Sequence, residues 1–132
     1  MKHIKLANQV IEMLLKGEDE VLVRLRSQME NVKSISEESS TVGFYINYEV
    51  DKYVIDISNC KSNFQIGDVD GCVDGIKNAV GFVLYINNGF ITCLEGYTIL
   101  DSWPDSDSMI ELEYDSGENR NYISLRNSWI QN

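Results

Sequence analysis

The sequence predicts an α+β fold, with two N-terminal helices packed on a mostly antiparallel sheet of about five to seven strands. Three patterns carry that expectation. Apolar residues recur at helical spacing over 4–32, they alternate with polar ones over 42–50, and an Asn88-Gly89 turn joins two apolar runs within 81–104. The 132 residues read as a single domain, with a helical hairpin over 4–32 and the sheet over 42–126. A chain of that length buries a core without metal or disulfide support.

In the first helix Ile4, Ala7, Ile11 and Leu14 mark one face, widened by Val10 and Leu15, and Gly17 supplies a left-handed cap. Glu18, Asp19 and Glu20 then place negative charge at the start of a second helix, where the helix dipole favours it. Its stripe is Val21, Leu22, Leu25, Met29 and Val32. The short connection at Gly17 makes the pair a hairpin or an angled pair, and both stripes are read as core rather than as a ligand groove.

The polar, serine-rich stretch 34–41 reads as a loop or a weak edge strand. Val42, Phe44, Ile46, Tyr48 and Val50 then point one way, and Gly43, Tyr45, Asn47, Glu49 and Asp51 the other, as in a half-buried strand. Tyr53, Ile55 and Ile57 extend the alternation, either as a hairpin partner or past a bend, and 59–63 is loop by composition. A third strand over 64–73 carries irregularities at Gly67 and Gly71. Asp68, Asp70 and Asp74 invite a calcium reading. An EF-hand loop beginning at Asp68 needs glycine at its sixth position and glutamate at its twelfth, where Val73 and Ala79 stand. The aspartates are therefore read as solvent-facing, with no metal site, and 75–79 as a connection or one helical turn.

Asn88-Gly89 is a type I′ hairpin signal, because both residues tolerate positive φ and the turn matches strand twist. A two-residue loop pairs Asn87 with Phe90, Ile86 with Ile91, Leu84 with Cys93 and Phe82 with Glu95; a three-residue loop slips the pairing by one. In either register strict alternation puts Glu95 on the face of Ile91 and Cys93. If that face is core, the carboxylate must be hydrogen-bonded, paired or protonated. The other reading ends the strand near Gly96 and lets Glu95 reach solvent. Trp103-Pro104 is either a lid folded onto the core or an exposed binding anchor. Ile110, Leu112 and Tyr114 alternate with Glu111, Glu113 and Asp115, and a turn over 116–119 returns this strand onto one containing Ile123 and Leu125, with Asp115 facing Arg120.

Charge bounds the function. The net charge is −10, and from 78 to 119 there is no Lys, Arg or His while eight acids occur, including Glu95, Asp101, Asp105, Asp107, Glu111, Glu113 and Asp115. A field of one sign disfavours DNA, RNA and anionic membrane and favours basic partners. Cys60, Cys72 and Cys93 match no zinc or redox spacing, as expected of reduced thiols in a cytoplasmic protein. The amino-terminal apolar run is too short for a signal peptide or a membrane span. The single histidine, His3, lies near a terminus expected to be mobile, so no Ser or Cys gains an imidazole base. Nucleotide-binding loops and the G-x-S-x-G motif do not occur. No catalytic residue, cofactor or metal is expected.

At Gly81-Phe82-Val83-Leu84-Tyr85-Ile86, Asn88-Gly89, Leu94-Glu95-Gly96-Tyr97-Thr98 and Trp103-Pro104, the chain resembles a family of small uncharacterised bacterial proteins. The likeness extends to the leading helical pattern, to Gly43-Phe44 and to Gly67-Asp68-Val69. Ile99-Leu100 replaces the more polar residues expected after the motif, and Cys72 stands where an acid is more usual. The resemblance implies a shared fold and brings no catalytic role. Such proteins look like the immunity factors found beside bacterial toxins.

The reading that best fits is a non-enzymatic, acidic protein-binding domain, of the kind that inhibits a basic toxin. Its expected binding residues are Glu95, Asp101, Trp103, Asp105, Asp107, Glu111, Glu113 and Asp115. Two alternatives stand beside it. One is a small-molecule module lined by Phe44, Tyr48, Phe82, Tyr97 and Trp103; the other is a carboxylate-only hydrolase centred on Glu95.

Overall fold

The computed structural model describes residues 1–53, 63–117 and 119–130. The expected alternation at Ile55 and Ile57, the loop over 59–62, Cys60 and Glu118 lie outside the described residues. Two helices, Ile4–Leu14 (α1) and Glu20–Met29 (α2), precede the strands Val32–Ser40 (β1), Gly43–Val50 (β2), Phe64–Ile66 (β3), Val69–Val73 (β4), Ile76–Asn87 (β5), Phe90–Thr98 (β6) and Ile110–Tyr114 (β7). A third helix, Tyr122–Ile130 (α3), follows. The seven strands form one sheet in the order β1-β2-β6-β5-β4-β7, with β3 also on β5, and the pairings are antiparallel. The α+β expectation holds.

The apolar stripes of the helices account for how they dock. Leu6, Ala7, Val10, Ile11 and Leu14 of α1 are buried, as are Leu22 and Leu25 of α2. They meet Phe44, Ile46, Phe82, Leu84, Ile86, Ile91 and Leu94 from one face of the sheet in a single core. The Asp19 side chain caps α2 by accepting the Val21 amide at 2.9 Å. Gln28, on the buried side of α2, binds the central hairpin through both ends of its amide. Its Nε2 donates to the Gly89 carbonyl at 2.7 Å, and its Oε1 accepts the Ile91 amide at 2.8 Å.

That hairpin has the expected turn, with φ of 53° at Asn88 and 84° at Gly89. Next to the turn Asn87 faces Phe90 and Ile86 faces Ile91, the register of a two-residue loop. Further on, Tyr85 faces Cys93, Leu84 faces Leu94 and Val83 faces Glu95, so Thr92 is an extra residue in β6. This is a β-bulge. The Thr92 hydroxyl donates to the Tyr85 carbonyl at 3.2 Å and accepts from Asn87 Nδ2 at 3.1 Å.

Four stretches depart from expectation. The second helix ends at Met29 and Val32 already opens β1, so the sheet starts ten residues before 42 and the serine-rich segment is its edge strand. The 64–73 run is broken at Gly67-Asp68 into β3 and β4, which share β5 as partner. Residues 75–79 are not a helical turn: Asp74 and Gly75 have φ of 50° and 80° and form the tight turn into β5. The sheet ends at Tyr114. Among the described residues no strand returns on β7, which pairs with β4, and 122–130 is helical with Asn121 Oδ1 accepting the Ser124 amide at 3.1 Å as its cap. Arg120 faces Asp68, not Asp115 as expected. Its guanidinium reaches the two carboxylate oxygens at 2.6 and 2.9 Å and also donates to the carbonyls of Leu14 and Lys16, at 2.6 and 2.8 Å. The cation thus closes the carboxyl end of α1, where the helix dipole favours it.

Gln28→Ala leaves a buried carbonyl and a buried amide without their partner, a loss of roughly 2–4 kcal/mol. Urea unfolding should show a lower midpoint at unchanged slope. A loss below about 0.5 kcal/mol would mean that α2 is held by its apolar stripe alone.

Candidate protein-docking face

The bulge at Thr92 decides where Glu95 goes. Ile91 is buried on the helix side, but after the extra residue the buried positions are Leu94 and Gly96, and Cys93, Glu95 and Tyr97 turn to the other face. Glu95 therefore does not share the face of Ile91, as strict alternation required. It stands on the side of the sheet opposite α1 and α2. Directly across from it are Tyr45 on β2 and Val83 on β5.

Two tyrosines hold the carboxylate. Tyr85 donates to Oε1 at 2.6 Å, and Tyr45 donates to Oε2 at 3.0 Å. The hydrogen bond to Glu95, followed by burial, pushes the Tyr85 phenol up to about 12. Burial first, then Glu95 and Glu38, pushes the Cys93 thiol beside them up to about 11. A third ring, Tyr97, lies over Gly81, where an added Cβ would stand 2.4 Å from the phenol. Gly81 is thus the bare seat that lets Tyr97 lie flat between β6 and β5.

Further acids share this face by register. Glu38 of β1 is opposite Tyr45, and Asp70 of β4 is opposite Gly81 and Glu113. Glu111 is opposite Cys72. Burial, then Asp115, Glu113 and Asp68, raise the Asp70 carboxyl above its ordinary range. The native state thus holds the Asp70 proton more tightly than the unfolded chain does. As pH rises through that range the group becomes a native-state cost. Strands β2, β3, β4, β6 and β7 contain no Lys, Arg or His, and Lys33 of β1 is paired with Glu49 at 3.0 Å.

The other expected site residues divide. Glu111, Glu113 and Asp115 lie on or just beyond β7, and Asp101 and Asp105 are exposed in the segment before it. Trp103 and Asp107 face inward. Trp103 is 7% exposed and packs edge-on against Phe44 and Phe82, with its Nε1 donating to Asp107 Oδ1 at 2.9 Å. It is a lid on the core, not an anchor for a partner. The same carboxylate receives His3 Nδ1 at 2.8 Å. His3 is not mobile: it is 2% exposed, stacked on Phe44 at 4.6 Å, and its amide donates to Glu37 at 2.9 Å.

The aromatic pocket expected between helices and sheet is filled by its own side chains. Phe44, Phe82 and Trp103 pack on one another, Tyr48 is buried, and Tyr97 lies on the opposite face. Among the described residues no group of three or more His, Cys, Asp or Glu side chains is placed to hold a metal ion. No described helix is long and apolar enough to cross a membrane. Sequence reasoning missed Tyr85 and Asp70 as members of the face. The apolar run around Tyr85 hides its direction, and Asp70 reads as solvent-facing from its pattern without a sign that it shares a face with Glu95. Tyr45 was legible, since it alternates with the buried Phe44 and Ile46. No family model matches the chain, and neither a curated protein nor a solved structure does.

Between about pH 10 and 12 the unfolded chain loses the Tyr85 proton while the native state keeps it, so stability falls across that window. Tyrosine ring-carbon NMR titration should find one phenol ionising near 12, moving toward 10 in Glu95→Gln. An unchanged titration in that variant would separate Tyr85 from Glu95.

Proposed function

We propose that this chain is a non-enzymatic protein-binding domain whose open sheet face receives a basic protein, as an immunity-type inhibitor receives a basic toxin. The observation that carries this reading is the pairing of a filled core with an acidic face on the side of the sheet away from α1 and α2, bordered by α3 only near Gln65 and Val83. Glu38, Glu95, Asp70, Glu111 and Glu113 project from that face, and the five strands β2, β3, β4, β6 and β7 bring no cation to it. Like charges opposite one another, such as Asp70 and Glu113, work against the free fold. A cationic partner would turn that cost into attraction. The exposed rings of Tyr45 and Tyr97, 45% and 40% accessible, add contact area of the kind that dominates protein interfaces. Electrostatic steering would speed capture and make it salt-dependent.

The test is charge reversal of Glu111, Glu113 and Asp115 to lysine. A basic partner captured from native lysate at low salt and then purified should associate with this variant about tenfold more slowly or worse, with a flatter salt dependence. Its thermal midpoint should not fall, because Glu111 and Asp115 are exposed and reversal at Glu113 turns its repulsion of Asp70 into attraction. Unchanged association would remove β7 from the binding face.

A further inference from the structure

We infer that the face has a defined anchor point: the Glu95 carboxylate, held by Tyr45 and Tyr85 beside the bare backbone of Gly43, takes the guanidinium of an arginine from the partner protein. The inference rests on the reading of this face as a docking surface for a basic protein.

Position fixes the shape of the anchor. Tyr45 is opposite Glu95, and Gly43, two residues earlier on β2, is opposite Tyr97. Gly43 has no side chain, and the Tyr97 ring leans the other way, over Gly81. A shallow hollow is left above Gly43, bordered by Glu38, Ser40, Tyr45, Glu95 and Tyr97. Gly43 is fixed in kind as well, since an added Cβ would stand 2.0 Å from the Gly96 carbonyl oxygen.

Chemistry selects the ligand. An ionised carboxylate offers about four acceptor sites, and the two phenols use one on each oxygen. Each oxygen therefore keeps a free lone pair, and the phenols set the plane in which they lie. A guanidinium presents two parallel N–H groups to such a carboxylate, whereas an ammonium is a point charge without that match. Tyr45 and Tyr97 border the hollow beside the carboxylate, and aromatic side chains there suit a flat cation better than a hydrated ammonium. Orientation by the two hydroxyls lowers the ordering cost at binding.

The test uses the full chain and two probes of equal charge, a six-residue oligo-arginine and a six-residue oligo-lysine peptide, titrated at low salt. Wild type should bind the arginine peptide about fivefold or more tighter than the lysine peptide. Glu95→Gln should lower affinity for the arginine peptide about tenfold and erase the preference. Tyr45→Leu, at a half-exposed position, should reduce it by a smaller factor while the fold stays intact, as checked by thermal midpoint. Three outcomes overturn the inference. Equal binding of the two peptides by wild type removes the guanidinium. Wild-type affinity in Glu95→Gln, with loss in Glu111→Gln/Glu113→Gln, keeps the acidic face and moves the anchor away from Glu95. Absence of saturable binding of either peptide to wild type overturns the anchor and the basic-partner reading together.

Discussion

Thr92 stands opposite no residue of β5, and the strand to which it belongs changes face at that point. Before it, Ile91 enters the core; after it, Leu94 and Gly96 do, and the charged and phenolic residues between them turn outward. Without the extra residue Glu95 would point among Phe44, Phe82 and Trp103, where a carboxylate without partners is costly. The bulge is supported from both sides. Gln28 satisfies the Gly89 carbonyl and the Ile91 amide from the helix layer, and Thr92 ties itself to Tyr85 and Asn87 across the ladder. The position of α2, the register of the central hairpin and the chemistry of the outer face are thus one problem with one solution.

The two glycines of the central strands express the same division. Gly96 lies opposite both Phe44 and Phe82, and a Cβ there would stand 2.4 Å from the Phe44 ring, so the core aromatics close over it on the helix side. Gly81 does the same on the outer side for Tyr97. The LEGYT segment is therefore a small machine for sorting faces: Leu94 and Gly96 serve the core, and Glu95 and Tyr97 serve the surface. Trp103 completes the inner side with His3, Phe44 and Asp107, which fixes the amino terminus over the core.

Much of this was legible from the residues, and the failures have physical reasons. The stripe of α1, the alternation from Phe44 to Val50 and the Asn88-Gly89 turn are local signals and formed as expected, whereas Val32, read into the stripe of the second helix, opens β1, and Val42, read onto the core face, is exposed just before β2. The bulge was not legible, because threonine is an ordinary strand residue and a one-residue slip leaves no compositional trace; only the three-residue spacing of Ile91 and Leu94 hints at it. Ile123 and Leu125 suit a strand or a helix equally, and the deciding feature was the Asn121 cap, which a strand reading ignores. Asp74-Gly75 carries the same turn chemistry as Asn88-Gly89, but the aspartate pattern draws Asp74 into a cluster and leaves Gly75 as the start of a connection. Position in the chain predicts a mobile His3, whereas its burial is decided by Asp107 and Phe44, distant in sequence.

The functional reading depends on which face bears Glu95, and that depends on the register of β5 against β6. Backbone NOEs between the two strands measure it directly. The account predicts contacts joining Tyr85 with Cys93, Leu84 with Leu94 and Val83 with Glu95, with Thr92 outside the ladder. Contacts joining Leu84 with Cys93 and Phe82 with Glu95 would contradict it, since they would return the carboxylate to the core side and leave the open face without its anchor.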